Sequence, residues 1–304
     1  MTAVKGHPKG EAALAFATAI NRKFQGKYCV VVYGDSELFK DDYTLFEAMK
    51  RGEVTFAAPS VDVLNKFTPK STLFSLPFLF DSPLHALAFT DSDVAQSILA
   101  DFADDGFHAF GFWSGGMRQM SATVPIRSVR DAEGLTFRVS SDSPVTAAVY
   151  EAMGVKTIEM PFAEVYDALA SGKVQGQENT WSNIDTRGFY KVQAAVTETN
   201  HNYLGYVTLT TTAFLDSLPE AERKVFVDTM RLVSHERNGF AFELNQLSRQ
   251  AIIEDGGVII SLSKEELAGF RAAFKPVFDR FKGQIGAELV DQAIAINATT
   301  KPFE

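Results

Sequence analysis

Arg138 is the residue whose type and neighbours best suit a chemical task. It lies in Leu135-Thr136-Phe137-Arg138-Val139-Ser140, which alternates with the period of a strand. Leu135, Phe137 and Val139 take one face as core, and Arg138 shares the other with Thr136 and Ser140. Ser143-Pro144 reads as the cap and first turn of a helix, so Arg138 falls near the carboxyl end of a strand, where open α/β sheets hold ligands. A guanidinium there can grip a carboxylate through two parallel charge-assisted hydrogen bonds, each worth about 1.5–3 kcal/mol where water is excluded. Lysine lacks that fork. The segment alone also fits an arginine in a surface ion pair.

A second candidate stretch runs from Met160-Pro161-Phe162 through Gly172-Lys173-Val174-Gln175-Gly176 to Gln177-Glu178-Asn179-Thr180-Trp181. Its glycines turn a helix end into a polar loop in which Asn179 offers both donor and acceptor. Phe162 or Trp181 supplies a flat apolar wall. Taken alone, this reads only as a turn.

Signatures of catalysis are missing. The sequence has no P-loop, no GxGxxG after a strand, no GxSxG, no HExxH, no paired CxxC and no EF-hand loop. Its five histidines, His7, His85, His108, His201 and His235, lack metal-ligand spacing. No metal or cofactor is expected. Cys29, in the apolar run Tyr28–Val32, is expected as a small buried hydrophobe on a strand. Asp41-Asp42 and Asp104-Asp105 fall at helix ends, where capping explains them.

These residues must be positioned by alternating short strands and amphipathic helices, the pattern of α/β architecture. Strands are expected at 28–33, 54–57, 108–113, 135–140 and 206–211, and helices at 10–24, 43–51, 83–102, 144–153 and 162–171. Ser217-Leu218-Pro219-Glu220 has the form of a capping box, and apolar periodicity then continues to Gly256-Gly257. A helix of about forty residues spans roughly 55 Å at 1.5 Å per residue, more than one small domain is wide, so it must cross two. A second box at Ser263 opens another helix through Phe270, Phe274 and Phe278.

The chain of 304 residues is long enough for two domains, and 46% hydrophobic with 22% charged residues is ordinary globular composition. Its net charge of −9 opposes contact with nucleic acid and anionic lipid. An anion site would need local arginines. No apolar run approaches the roughly 20 residues of a membrane span, and the opening Met-Thr-Ala-Val-Lys-Gly-His-Pro carries no export-signal core. Read literally, that opening is cytoplasmic.

The run Met160-Pro161-Phe162-x-Glu164-Val165-Tyr166-x-Ala168-Leu169, followed by Gly176-Gln177-Glu178-Asn179-Thr180-Trp181-Ser182-Asn183, resembles the central signature of the solute-binding subunits of tripartite ATP-independent periplasmic (TRAP) transporters. Ala58-Pro59-Ser60, Leu76-Pro77-Phe78-Leu79-Phe80, Thr197-Glu198-Thr199-Asn200-His201 and His7-Pro8-Lys9-Gly10 resemble its C4-dicarboxylate-binding branch. The likeness runs from about residue 7 to 295. It implies a two-lobed periplasmic binding fold with hinge strands and a long helix spanning both lobes, lobe I being 1–121 plus 206–245 and lobe II 122–205 plus 246–304. It also implies a monomer without catalytic activity that closes on a small organic anion and docks on a TRAP membrane permease. The family has a full first strand where only six residues precede His7, so a trimmed mature form is expected.

Position by position, the resemblance implies Arg138 as the carboxylate-gripping arginine, Arg118 as the second basic residue and Asn179 as the loop asparagine. Phe162 matches the aromatic lining, with Trp181 beside the loop, and Ser60 meets the ligand from the first lobe. The branch usually has a basic residue where this chain has Val63, and a larger polar pair where it has Ser114-Gly115. Both departures suggest a more apolar, roomier pocket, so aromatic, keto, hydroxy or sugar monocarboxylates stand beside C4-dicarboxylates as expected ligands. A periplasmic lyase or isomerase using the same cleft, or a ligand-responsive sensor on the same fold, are the other classes.

Overall fold

The computed structural model describes residues 5–141 and 143–300. The helices before the first strand are α1 (Pro8–Phe24), α2 (Asp42–Lys50), α3 (Pro83–Thr90) and α4 (Asp93–Ala100). The middle of the chain alternates: β1 (Phe107–Ala122), β2 (Thr136–Val139), α5 (Pro144–Glu151), β3 (Lys156–Glu159), α6 (Val165–Ala170), β4 (Gly176–Thr180), α7 (Trp181–Thr186), β5 (Ala195–Glu198) and β6 (Tyr203–Thr211). The remainder is α8 (Thr212–Ser217), α9 (Glu220–Glu254), β7 (Ile259–Ser261), α10 (Lys264–Ile285) and α11 (Ala287–Thr299).

β1 organises the molecule. Its first part pairs antiparallel with β6, from Phe107 opposite Thr211 to Met117 opposite Tyr203. From Arg118 onward it pairs with β4, and from Met120 with β5. One strand therefore carries the chain from one sheet region into another ordered β3-β2-β4-β1-β5-β7. Two register shifts interrupt the β1–β6 ladder, between Ala109 and Gly111 and between Ser114 and Gly116. Bulges strand backbone groups, and α9 supplies the partners. Asn238 donates to the Phe112 carbonyl at 2.9 Å and accepts from the Ser114 amide at 2.8 Å. Asn245 donates to the Gly115 carbonyl at 2.8 Å and accepts from the Ser182 amide at 3.1 Å. Gly116 has φ +116°, and a Cβ there would meet the Asn245 amide nitrogen at 2.8 Å.

At 35 residues α9 is about 52 Å long. Its apolar stripe packs against α1 and β6 through Phe226, Met230 and Val233. Its far end joins a separate core around Trp181, Ile184 and Phe189 through Ile252. The expected two-lobed α/β clamp with hinge strands and one helix across both lobes is the fold observed.

Several local expectations need correction. Ser217 closes α8 instead of capping α9, which starts at Glu220 behind Pro219 with no side-chain cap. The expected helix over 83–102 is broken at Asp91-Ser92, because Ser92 caps a new helix by accepting from the Ala95 amide. The second box holds, since Ser263 and Glu266 cap each other reciprocally. Segment 28–33 forms no strand: the N–H and C=O of Val30 bond to the Asn21 side chain instead. Cys29 falls on the outward phase of that segment and is exposed, not buried. Segment 54–57 reduces to one bridge, Ala57 with Leu209. An apolar cavity of about 380 Å³ is lined by these two segments and walled by Phe16, Trp113, Phe226 and Met230. Among the described residues no helix is long and apolar enough to cross a membrane.

Candidate functional site

The alternation along β2 turns Phe137 fully into the core and Arg138 to the opposite side, where it is 5% exposed. Arg138 donates from Nε and Nη2 to the Met160 carbonyl, at 3.1 and 3.0 Å. Among the described residues no carboxylate lies within bonding reach of it. Burial, reinforced by the neighbouring Arg118 charge, pushes its pKa down to about 10. A desolvated guanidinium short of counter-charge attracts an anion.

Arg118, where β1 changes partners, is in the opposite condition. One nitrogen of its guanidinium pairs with Asp62 and another with Glu178. Burial works against its charge, but Asp62 and Glu178 outweigh that and hold its pKa above the ordinary arginine value. Glu178 also pairs with His201 Nε2, whose Nδ1 meets the Thr199 hydroxyl at 2.7 Å. Burial opposes the Glu178 charge too, yet Arg118 and His201 hold its pKa at about 2. Asp62 is fixed by Ser60, whose hydroxyl donates to it at 3.0 Å, and by Ser75 at 3.2 Å. In this ionic network both Nη atoms of Arg118 are paired with carboxylates, while its buried Nε has no hydrogen-bond partner among the described residues.

Between these groups lies a cleft of about 100 Å³, well under the roughly 300–1,000 Å³ of drug-sized ligand pockets. Arg138, Arg118, Asn179, Phe162 and Ser60 all line it. Asn179 accepts from Asn183 Nδ2 at 2.7 Å, which orients its amide. Phe162 is held edge-on by Phe189 at 5.7 Å. Trp181 lies elsewhere, as the first residue of α7, packed inward with the Arg249 guanidinium over its ring at 5.7 Å. Val63 is on the cleft wall. Gly115 adds no room, because a Cβ there would meet the Leu204 carbonyl at 2.8 Å and the Tyr206 ring at 3.1 Å; β6 occupies the space a side chain would take.

Sequence reasoning missed Asp62, Glu178, His201 and Lys9. Lys9 also lines the cleft, 9% exposed, with Nζ 3.3 Å from the Ala58 carbonyl and 4.2 Å from the centre of the Tyr206 ring. A signal for it existed: Lys9 is the second residue of α1, where a cation opposes the helix dipole. The larger apolar cavity beside 28–33 gathers no comparable set of charges. The cleft is the better functional candidate.

The profile of the family described as bacterial extracellular solute-binding protein, family 7, matches residues 1–284. The C4-dicarboxylate-binding periplasmic protein DctP of Vibrio cholerae is 39% identical over 96% of this chain and 87% of its own length. A TRAP periplasmic solute-binding protein from Shewanella oneidensis, solved with bound succinate, superposes with a TM-score of 0.94 at 34% identity, covering 98% of this chain and 97% of that one. Another from Pseudomonas aeruginosa, with bound L-malate, gives 0.88 at 33% identity over 92% and 97%. With the two-lobed fold and the cation-lined cleft, these likenesses establish that the chain belongs to family 7 of the bacterial extracellular solute-binding proteins, the solute-capturing components of TRAP transporters.

Proposed function

We propose that this protein captures a small organic acid in the cleft, with a C4-dicarboxylate such as succinate or malate as its ligand, and hands it to a TRAP membrane permease in the periplasm. The carrying observation is Arg138, a buried guanidinium with no carboxylate partner among the described residues, opening on a small cleft. Its free edge takes one ligand carboxylate through charge-assisted hydrogen bonds. Asn179 orients that carboxylate and Phe162 covers it. Arg118, whose Nη atoms are held by Asp62 and Glu178, shapes the cleft and adds to its positive charge beside Arg138. Residues 1–121 with 206–245 and residues 122–205 with 246–304 act as the two lobes, and ligand contacts to both shift the population toward the closed form. The protein works as a monomer and catalyses nothing. The names of the similar proteins support the dicarboxylate reading; Val63, apolar on the cleft wall, favours a monocarboxylate instead.

A thermal-shift panel of succinate, malate, fumarate, galactonate, 2-oxobutyrate and benzoate tests this reading. A ligand at about 100 times its Kd adds about 2.7 kcal/mol, which raises the midpoint by several degrees. Shifts with the C4-dicarboxylates are expected. Shifts with monocarboxylates alone would move the ligand to the second reading, and no shift with any carboxylate would contradict the function.

A further inference from the structure

The cleft lined by Arg138 carries a feature that the anchor role leaves unexplained. Lys9 is buried at the start of a helix, where the dipole repels it, and its ammonium makes one backbone hydrogen bond and rests on the Tyr206 ring. Among the described residues it forms no ion pair within 4 Å. Burial draws its pKa down to about 8, with Asp42 offsetting only part of that. The adjacent His7 is driven well below its usual value, by burial first and then by Lys9, and so stays neutral. With Arg118 already paired to Asp62 and Glu178, two other buried cations lining the cleft have no bonded carboxylate among the described residues: Arg138 and Lys9. Two such cations lining one small space can each receive one carboxylate of a diacid.

We propose that Lys9 is the second anchor of the cleft, receiving the distal carboxylate of a short-chain dicarboxylate whose other end is held by Arg138. This rests on the carboxylate-capture reading above and deepens it. Lys9 supplies from the start of α1 the positive charge that Val63 does not supply, so selection of diacids over monoacids resides in Lys9. The ligand then touches both walls, and closure depends on both of its ends.

Succinate and butyrate differ by the distal carboxylate alone, and calorimetric titration of both against wild type, Lys9→Gln, Lys9→Arg and Arg138→Ala separates the two readings. Far-UV circular dichroism and the thermal midpoint establish that each variant is folded. Lys9→Gln is expected to weaken succinate by about 30-fold or more and to leave butyrate, or its inability to bind, unchanged. Equal losses for both acids, or no loss for succinate, would overturn the proposal while a binding-dead Arg138→Ala kept the capture reading intact. Retention of both acids by Arg138→Ala would overturn the two together.

A pH profile gives an independent readout. The charged and titratable groups around Lys9 are His7, which caps its helix, and, lining the same cleft, Lys40, Asp41, Asp42, Tyr43, Asp62, Arg118, Arg138 and Tyr206. Binding a carboxylate raises the Lys9 pKa, so wild-type affinity for succinate is expected to fall as pH rises through about 8. Lys9→Arg, charged throughout, is expected to hold its affinity over that range. Identical profiles for the two proteins would overturn the assignment.

Discussion

At the scale of single residues, the cleft divides its charges by whether the protein already answers them. Arg118 is answered twice, by Asp62 and Glu178; Arg138 and Lys9 have no ion pair within 4 Å among the described residues. Removing one partner of a buried pair costs more than the pair contributes, because the remaining ion is stranded without water. Glu178→Gln is therefore expected to destabilise the fold by about 3 kcal/mol, measured as a shift in the chemical denaturation midpoint. Its pH signature has a definite sign. The folded pKa of Glu178 lies at about 2, below the model-peptide carboxylate value, so its contribution is complete above the unfolded pKa and is lost as pH falls toward 2. Wild type should lose that component in the acid range, and Glu178→Gln should lack it. Part of the cleft was legible: period-two alternation suffices to turn Arg138 away from the core, but Asn179, expected in a polar loop, lies on β4 opposite Gln119 of β1, a pairing that local pattern could not supply. Lys9 and Asp62 were not, because they reach the cleft from a helix start and a turn far away in sequence, and local periodicity carries no long-range contact.

At the scale of elements, the junction of β1 with α9 holds the cleft walls in register. Asn238 and Asn245 satisfy backbone groups that the β1 bulges leave open, and Asn245 also ties in α7 through the Ser182 amide. Asn245→Ala strands the Gly115 carbonyl and the Ser182 amide. A buried unsatisfied group costs about 1–3 kcal/mol, and destabilisation of about 2–4 kcal/mol is expected from these two orphans in equilibrium unfolding. Loss below about 0.5 kcal/mol would mean that the bulges are held by something else. Long periodic elements were readable in advance, and α9 was found within a turn of its real ends. Boundaries set by one side chain were not: Ser92 restarts a helix that apolar periodicity alone carries straight through. Segment 28–33 shows the complementary limit, since a strand pattern specifies which face is apolar but cannot supply a neighbour to pair with.

For the whole molecule, a net charge of −9 and a ligand of the same sign are reconciled by concentrating unanswered positive charge in one cleft. The 35-residue helix and the partner-switching strand run through both lobes. The central claim is that one buried guanidinium makes this cleft a carboxylate site. Titrating succinate into wild type and Arg138→Ala in a calorimeter tests it most directly. The account predicts saturable binding to wild type and a loss of about 100-fold or more in the variant, with the thermal midpoint of the unliganded protein kept or raised because an uncompensated buried charge has been removed. Equal affinity of the two proteins for succinate would contradict it.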